Sequence, residues 1–325
     1  MSDTTHVNCG CNEYNELSRR NFIARSAGAA VFGALMPEWM PKVVLAKSAA
    51  SSRDVIVHIF QRGGADGLSL VTPYADQKYY DARPNIAIPR PGQANGGKDL
   101  NGTFMLPPAM AGGTGLTGGM WPAYQAGELL IVHGTGLSYS SRSHFDAQHF
   151  IEVGKANDLS LSTGWLGRHL ATTDAAVPGT ILRGLSMSSG LPDALKGAPQ
   201  TLPIPDPRNF GLSGSTTTRD ARTAWLATDY YLDKDPGRDS ALDATATLAL
   251  LRSINVSGYV PSNGATYPAN SFGTSLKSAA ALIKADVGVE AIQIDVGGWD
   301  THSTQTPILV GGQLYNLMRD FSNAS

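Results

Sequence analysis

Gln293-Ile294-Asp295-Val296-Gly297-Gly298-Trp299-Asp300-Thr301-His302 is the stretch that decides the fold. From Glu290 to Val296 the residues read as a buried strand, which stops at a double glycine and is followed at once by acidic and imidazole side chains. The glycine pair permits a tight backbone that a side chain would forbid. Ligand-bearing residues at the carboxyl end of a strand are what open α/β sheets use to build sites. Asp295, Asp300 and His302 are therefore candidate metal ligands. The competing role is structural, since Asp-x-His is a short, common pattern that also caps helices and bonds loops.

The same design recurs near the other end of the chain. Asp54-Val55-Ile56-Val57-His58-Ile59-Phe60 reads as a central strand, and Gln61-Arg62-Gly63-Gly64-Ala65-Asp66-Gly67 follows it as a glycine turn that offers an acid. Asp66 suits an ordinary turn, but the recurrence predicts that Asp66 and Asp300 face one site. Glu128-Leu129-Leu130-Ile131-Val132-His133 reads as a further buried strand. A loop then leads to Ser143, where a helix is expected through about Lys155 because Phe145, His149, Phe150 and Val153 recur at helical spacing. Ser143 at that N-terminus is either a cap or a hydroxyl nucleophile whose oxyanion the free N–H groups would hold.

Further helices are expected to begin near Trp165, and over about 219–232, 240–253 and 276–283, the last leading into the strand at 290. Residues 73–122 carry little pattern beyond one short helix near Gln77–Asp81. Prolines and glycines dominate 178–214, which reads as a substrate-shaping loop or lid. The expected class is thus α/β, with a mostly parallel central sheet flanked by helices. Neither a Walker loop nor a Gly-x-Gly-x-x-Gly fingerprint follows a strand, so no nucleotide cofactor is indicated.

With 325 residues, 42% of them hydrophobic, the chain has enough apolar material for a large core. A net charge of −2 supplies no basic field for nucleic acid, so a small or carbohydrate-like partner is expected. Residues 1–50 read as an address. Ser18-Arg19-Arg20-Asn21-Phe22-Ile23 matches the twin-arginine export pattern, and Ala27–Met36 is too short to span a bilayer comfortably. The expectation is a signal peptide over 1–50, a periplasmic or extracellular domain over 51–325, and no integral membrane segment after signal removal. Both cysteines, Cys9 and Cys11, would leave with the signal, so no thiolate chemistry is expected in the mature chain.

Together, Gly63-Gly64-Ala65-Asp66-Gly67, Ser141-Arg142-Ser143-His144-Phe145, Thr163-Gly164-Trp165-Leu166-Gly167-Arg168 and Asp295–His302, behind a twin-arginine signal, resemble the family of exported bacterial proteins called DUF1501. That family is placed in the alkaline phosphatase-like superfamily. The resemblance implies a parallel sheet between helices and hydrolysis of phosphate or sulfate esters by an alkoxide at a divalent metal such as zinc, manganese or magnesium. It maps Asp66, Asp300 and His302 onto metal ligands and Ser143 onto the nucleophile, with Ser138 and Ser141 as rivals. Arg142 would clamp the ester anion, and His144 would be a ligand or an acid–base group. Members ordinarily continue into a Ser-Glu-Phe-Gly-Arg and a Gly-Thr-Asp-His-Gly motif, so the chain ending at Ser325 is expected to be a truncated product or a diverged member. The alternative function is a non-catalytic envelope protein that binds a carbohydrate or a partner protein on the same fold.

Overall fold

In the computed structural model the described residues are 54–112, 119–177, 179–228, 238–262, 264–308 and 310–324. The chain divides at Ala49/Ala50, and the expected signal segment lies outside the described residues.

The centre of the domain is a four-stranded sheet in the order β1-β6-β4-β5, parallel throughout. Its strands are β1 (Ile56–Gln61), β4 (Gly184–Ser186), β5 (Thr201–Pro203) and β6 (Ala291–Val296). A small antiparallel pair, β2 (Lys98–Asp99) and β3 (Met105–Leu106), lies apart from it. The flanking helices, in order, are α1 (Gly67–Leu70), α2 (Gln77–Ala82), α3 (Met120–Gln125), α4 (His144–Val153), α5 (Trp165–Thr172), α6 (Thr216–Thr228), α7 (Arg238–Ser253), α8 (Ser271–Lys284) and α9 (Gln313–Ala324).

β6 shows why this sequence makes a central strand. Side chains alternate across a sheet, and here Ile292 and Ile294 enter one apolar cluster with Leu185, Leu282 and Phe272, while Ala291 joins Leu166, Leu170 and Leu195. Gln293 lies in the same alternation as Ala291 and is fully buried. Its amide is satisfied by His58, Glu152 and Asp295, so burial leaves no orphaned polar group. α8 supplies most of the cover on the first face. Asn270 caps it by accepting from the Gly273 amide at 2.8 Å, and its buried Leu282 would cost about 2–5 kcal/mol to truncate to alanine.

Three sequence expectations are corrected. Glu128–His133 forms no strand: Leu130 and Val132 are 47% and 63% exposed, the Glu128 amide is taken by Ala123 at the end of α3, and the His133 ring stacks on Phe104 at 3.8 Å. An apolar run has only a tendency to extend; without a ladder partner it is not a strand. Second, the 178–214 region contains β4 and β5, each too short for a period-2 pattern to register in the sequence. Third, 73–122 holds β2, β3 and α3 besides the expected short helix. Among the described residues no helix is long and apolar enough to cross a membrane.

Candidate metal centre

The two glycine turns meet at the carboxyl ends of β1 and β6. β1 and β6 run in parallel register from Ile56↔Ala291 to Gln61↔Val296, and the zipper continues past both strands. The Arg62 amide donates to Val296 O at 2.8 Å, and the Trp299 amide donates to Arg62 O at 3.2 Å. Gly63 has φ of +116°, and a Cβ there would lie 2.6 Å from the Asp300 amide nitrogen. A Cβ on Gly64 would lie 2.7 Å from Cε1 of His144. Gly63 therefore needs the backbone freedom of glycine, and a side chain at Gly64 would push the His144 imidazole aside.

Trp299 anchors the second turn. It is fully buried against Ala109, Met110, Leu314 and Met318, with Phe321 edge-on at 5.9 Å. With that side chain inside, the next residue, Asp300, emerges toward solvent. α4 brings the third component. Ser143 caps the helix by accepting from the Asp146 amide at 3.2 Å, while its own amide donates to Ser141 Oγ at 3.1 Å, and His144 is thereby the first helical residue.

His144, Asp300 and His302 converge, each offering one ligand atom, all within 4.8 Å of one another. The His302 Nε2–Asp300 Oδ1 distance is 2.7 Å, His144 Nε2–Asp300 Oδ1 is 3.5 Å, and the two Nε2 atoms are 3.3 Å apart. A tetrahedral ion with metal–ligand distances of about 2.0–2.1 Å sets ligand–ligand edges of about 3.3 Å. The spacing of the two imidazole nitrogens matches that edge and the His144–Asp300 distance is close to it, whereas the 2.7 Å His302–Asp300 contact is a direct hydrogen bond that an ion would have to open. The donor set of two imidazoles and one carboxylate suits zinc or manganese. The group faces solvent, with side-chain exposures of 33%, 44% and 77% for His144, Asp300 and His302, which leaves room for a substrate oxygen.

The other expected ligands stand elsewhere. Asp66 caps α1, accepting from the Leu68 amide at 3.3 Å and from Ser69 Oγ at 2.7 Å. Arg83 clamps the same carboxylate with both terminal nitrogens at 2.6 and 3.0 Å, and Gln305 donates to it from the loop that follows His302. Burial pushes the Asp66 carboxyl up, but the Arg83 and Ser69 bonds outweigh it and hold the group below the usual aspartate value. Asp66 thus faces the loop of the candidate centre and holds it through Gln305, while its oxygens are already engaged. Asp295 accepts from Arg62 at 2.9 Å and from Gln293 at 3.0 Å, on the sheet side of the turn. Arg142 and Ser138 are exposed, and Ser141 is half-buried.

A second polar group was not legible as a unit. Arg62 forms a fork with Glu152 of α4, its second bond 2.8 Å, and Glu152 is 3% exposed. Burial pushes the Arg62 guanidinium down, but Glu152 and Asp295 outweigh it and raise it further, as they must for a partly buried cation. Beside it, His149 Nδ1 lies 2.7 Å from Asp193 Oδ2. The Thr163–Arg168 segment explains how Asp193 is placed: a Cβ on Gly164 would lie 2.0 Å from Asp193 O, and one on Gly167 2.0 Å from Lys196 O. Arg168 closes that corner by donating to Val153 O at 2.7 Å. The signal available in the sequence was Glu152 itself, an acid set among Phe150 and Val153 on the inward side of α4.

Fold and site together define an α/β protein with three side chains of ligand type, His144, Asp300 and His302, gathered at the carboxyl end of its parallel sheet. No family model, curated protein or solved structure matches the chain.

Proposed function

We propose that this protein is a divalent-metal-dependent hydrolase of phosphate or sulfate esters, on an alkaline phosphatase-like fold of the kind the DUF1501 resemblance implies. The observation that carries the reading is the convergence of His144 with Asp300 and His302, from two distant parts of the chain, onto one solvent-facing point. An ion held there would polarise the ester oxygen and stabilise developing charge. Ser143 is the nucleophile in this reading. Its Oγ accepts the Asp146 amide, so the hydroxyl proton remains available for transfer, and it stands beside a ligand at the positive end of a helix. Arg142 is exposed and free to reach an ester anion from the preceding residue. Export through the twin-arginine route places the activity in the periplasm or outside the cell. Replacing Arg19 and Arg20 with lysine is expected to retain the precursor in the cytoplasm, and unchanged delivery would refute that address.

The test is metal analysis of the purified protein together with a panel of aryl phosphate and sulfate esters. Bound zinc or manganese and EDTA-sensitive turnover are expected; the absence of both would sink the proposal. One observation favours the rival reading of a non-catalytic binding protein. Asp66 and Asp295 are both occupied by arginines, which leaves three ligands where more were expected. Metal binding without turnover of any ester in the panel would select that rival.

A further inference from the structure

α4 presents more than His144. Residues four apart share a helix face, so Gln148 follows His144 one turn on, and Phe145 is followed by His149. Arg62, Phe145, Gln148, His149, Glu152 and Asp193, with Pro192, line an open cleft of about 290 Å³. Gln148, in its lining, follows His144 of the candidate metal centre by one helical turn, a rise of about 5.4 Å along the axis.

The charged groups in the walls of this cleft are paired with one another. Glu152 is consumed by Arg62, Gln293 and the Ala194 amide. Arg62 is shared by Glu152 and Asp295, and Asp193 is paired with Lys196 and bonded by His149. What remains is one ring nitrogen and one apolar surface. His149 Nδ1 is bonded to Asp193, and its Nε2 is buried without a partner among the described residues. Gln148 spends its amide NH on His144 O at 2.9 Å. Phe145, by contrast, is 84% exposed at the mouth of the cleft. A neutral ligand with a C–H face and hydroxyls on its edge satisfies both groups; an anionic one finds no cation to spare among the residues of the cleft.

We propose that this cleft is a subsite for the sugar ring of a carbohydrate ester, with Phe145 as the stacking platform and the unpartnered His149 Nε2 bonded to a ring hydroxyl. The inference rests on the metal-hydrolase reading, because the one-turn offset would place a substituent of that ring at His144, Asp300 and His302. A ligand seated this way is held by its neutral part and cut at its charged part. Phe145 and His149 would then determine which esters are accepted, without touching the reacting atoms.

The test uses the full chain and neutral monosaccharides (glucose, galactose and N-acetylglucosamine), followed by saturation-transfer NMR, with zinc binding followed separately by calorimetry. At least one sugar is expected to bind wild type. Phe145→Ala and His149→Phe should weaken that sugar at least tenfold while leaving zinc affinity unchanged, and Phe145→Tyr should restore it. His302→Ala should do the reverse. The proposal is overturned if no sugar binds, or if Phe145→Ala binds as well as wild type. Sugar binding that persists in a protein with no zinc affinity would support the subsite and overturn the metal centre; zinc binding without Phe145-dependent sugar binding would do the opposite.

Discussion

The turn after β1 and the turn after β6 are built alike and end differently. Each strand stops at two glycines and each turn delivers an aspartate, yet Asp66 is enclosed by Arg83, Ser69 and Gln305, whereas Asp300 meets only imidazoles in the open. The difference arises outside the turns. Arg83, at the end of α2, happens to reach the first carboxylate, and no lysine or arginine reaches the second among the described residues. A carboxylate saturated by a guanidinium and a hydroxyl contributes to structure; one left with imidazole nitrogens offers a donor set for an ion. What a glycine–acid turn does is therefore set by the neighbour that arrives from elsewhere in the chain.

The largest effects that would break this contrast lie at Asp300. Asp300→Ala or His302→Ala is expected to lower zinc affinity by on the order of a hundredfold or more, since each removes one of three ligands. Calorimetric titration checks it, and an unaltered isotherm would remove the metal centre. Gly63→Ala comes next. The positive φ and the 2.6 Å approach to the Asp300 amide predict a loss of about 2–3 kcal/mol in stability, with weakened zinc binding because the Asp300 backbone must shift. Denaturant melts with and without zinc measure both parts.

Asp66→Asn sharpens the comparison from the other side. It is expected to cost roughly 1–3 kcal/mol of stability by removing a partly buried charge from Arg83, with little change in zinc affinity. A hundredfold fall in zinc affinity would make Asp66 a ligand after all. The same pair carries a pH signature. The Asp66 carboxyl is held below its ordinary value of 3.8, so its stabilisation is complete above that pH and fades as the pH falls further. The stability gap between wild type and Asp66→Asn should accordingly close in acid, which thermal melts from pH 7 downward would follow. Smallest in stability is Ser143→Ala, at about 1 kcal/mol for the lost cap, with zinc affinity kept. As nucleophile, its removal should abolish most ester turnover; normal turnover would transfer that role to Ser138, Ser141 or a water.

Much of this architecture could be read from residues alone where a pattern was long enough. β1, β6, the helices beginning near Ser143 and Trp165, and the 276–283 part of α8 were legible because apolar runs or 3.6-residue spacing marked them, while the first turn of α8 fell in what reads as a connector. The strands β4 and β5, at three residues each, were not. The Leu129–Val132 run misled because hydrophobicity alone does not report whether a pairing edge is in reach. At the site, His144, Asp300 and His302 stood in recognisable turns. The Arg62–Glu152 and His149–Asp193 pairs did not, because each joins residues 44 or more positions apart with no local mark.

The pairing of β1 with β6 also has a consequence in time. The side-chain bond from His58 to Gln293 spans 235 residues, so during synthesis the first strand exists long before its neighbour. Loops of that length close slowly and leave strand edges unpaired meanwhile. Gly63, Gly64, His144, Asp300 and His302 become neighbours only when that closure is complete, which makes the ability to hold an ion a late acquisition of the folding chain. Zinc supplied from the start of refolding should therefore leave the rate of sheet formation unchanged and protect only the finished product.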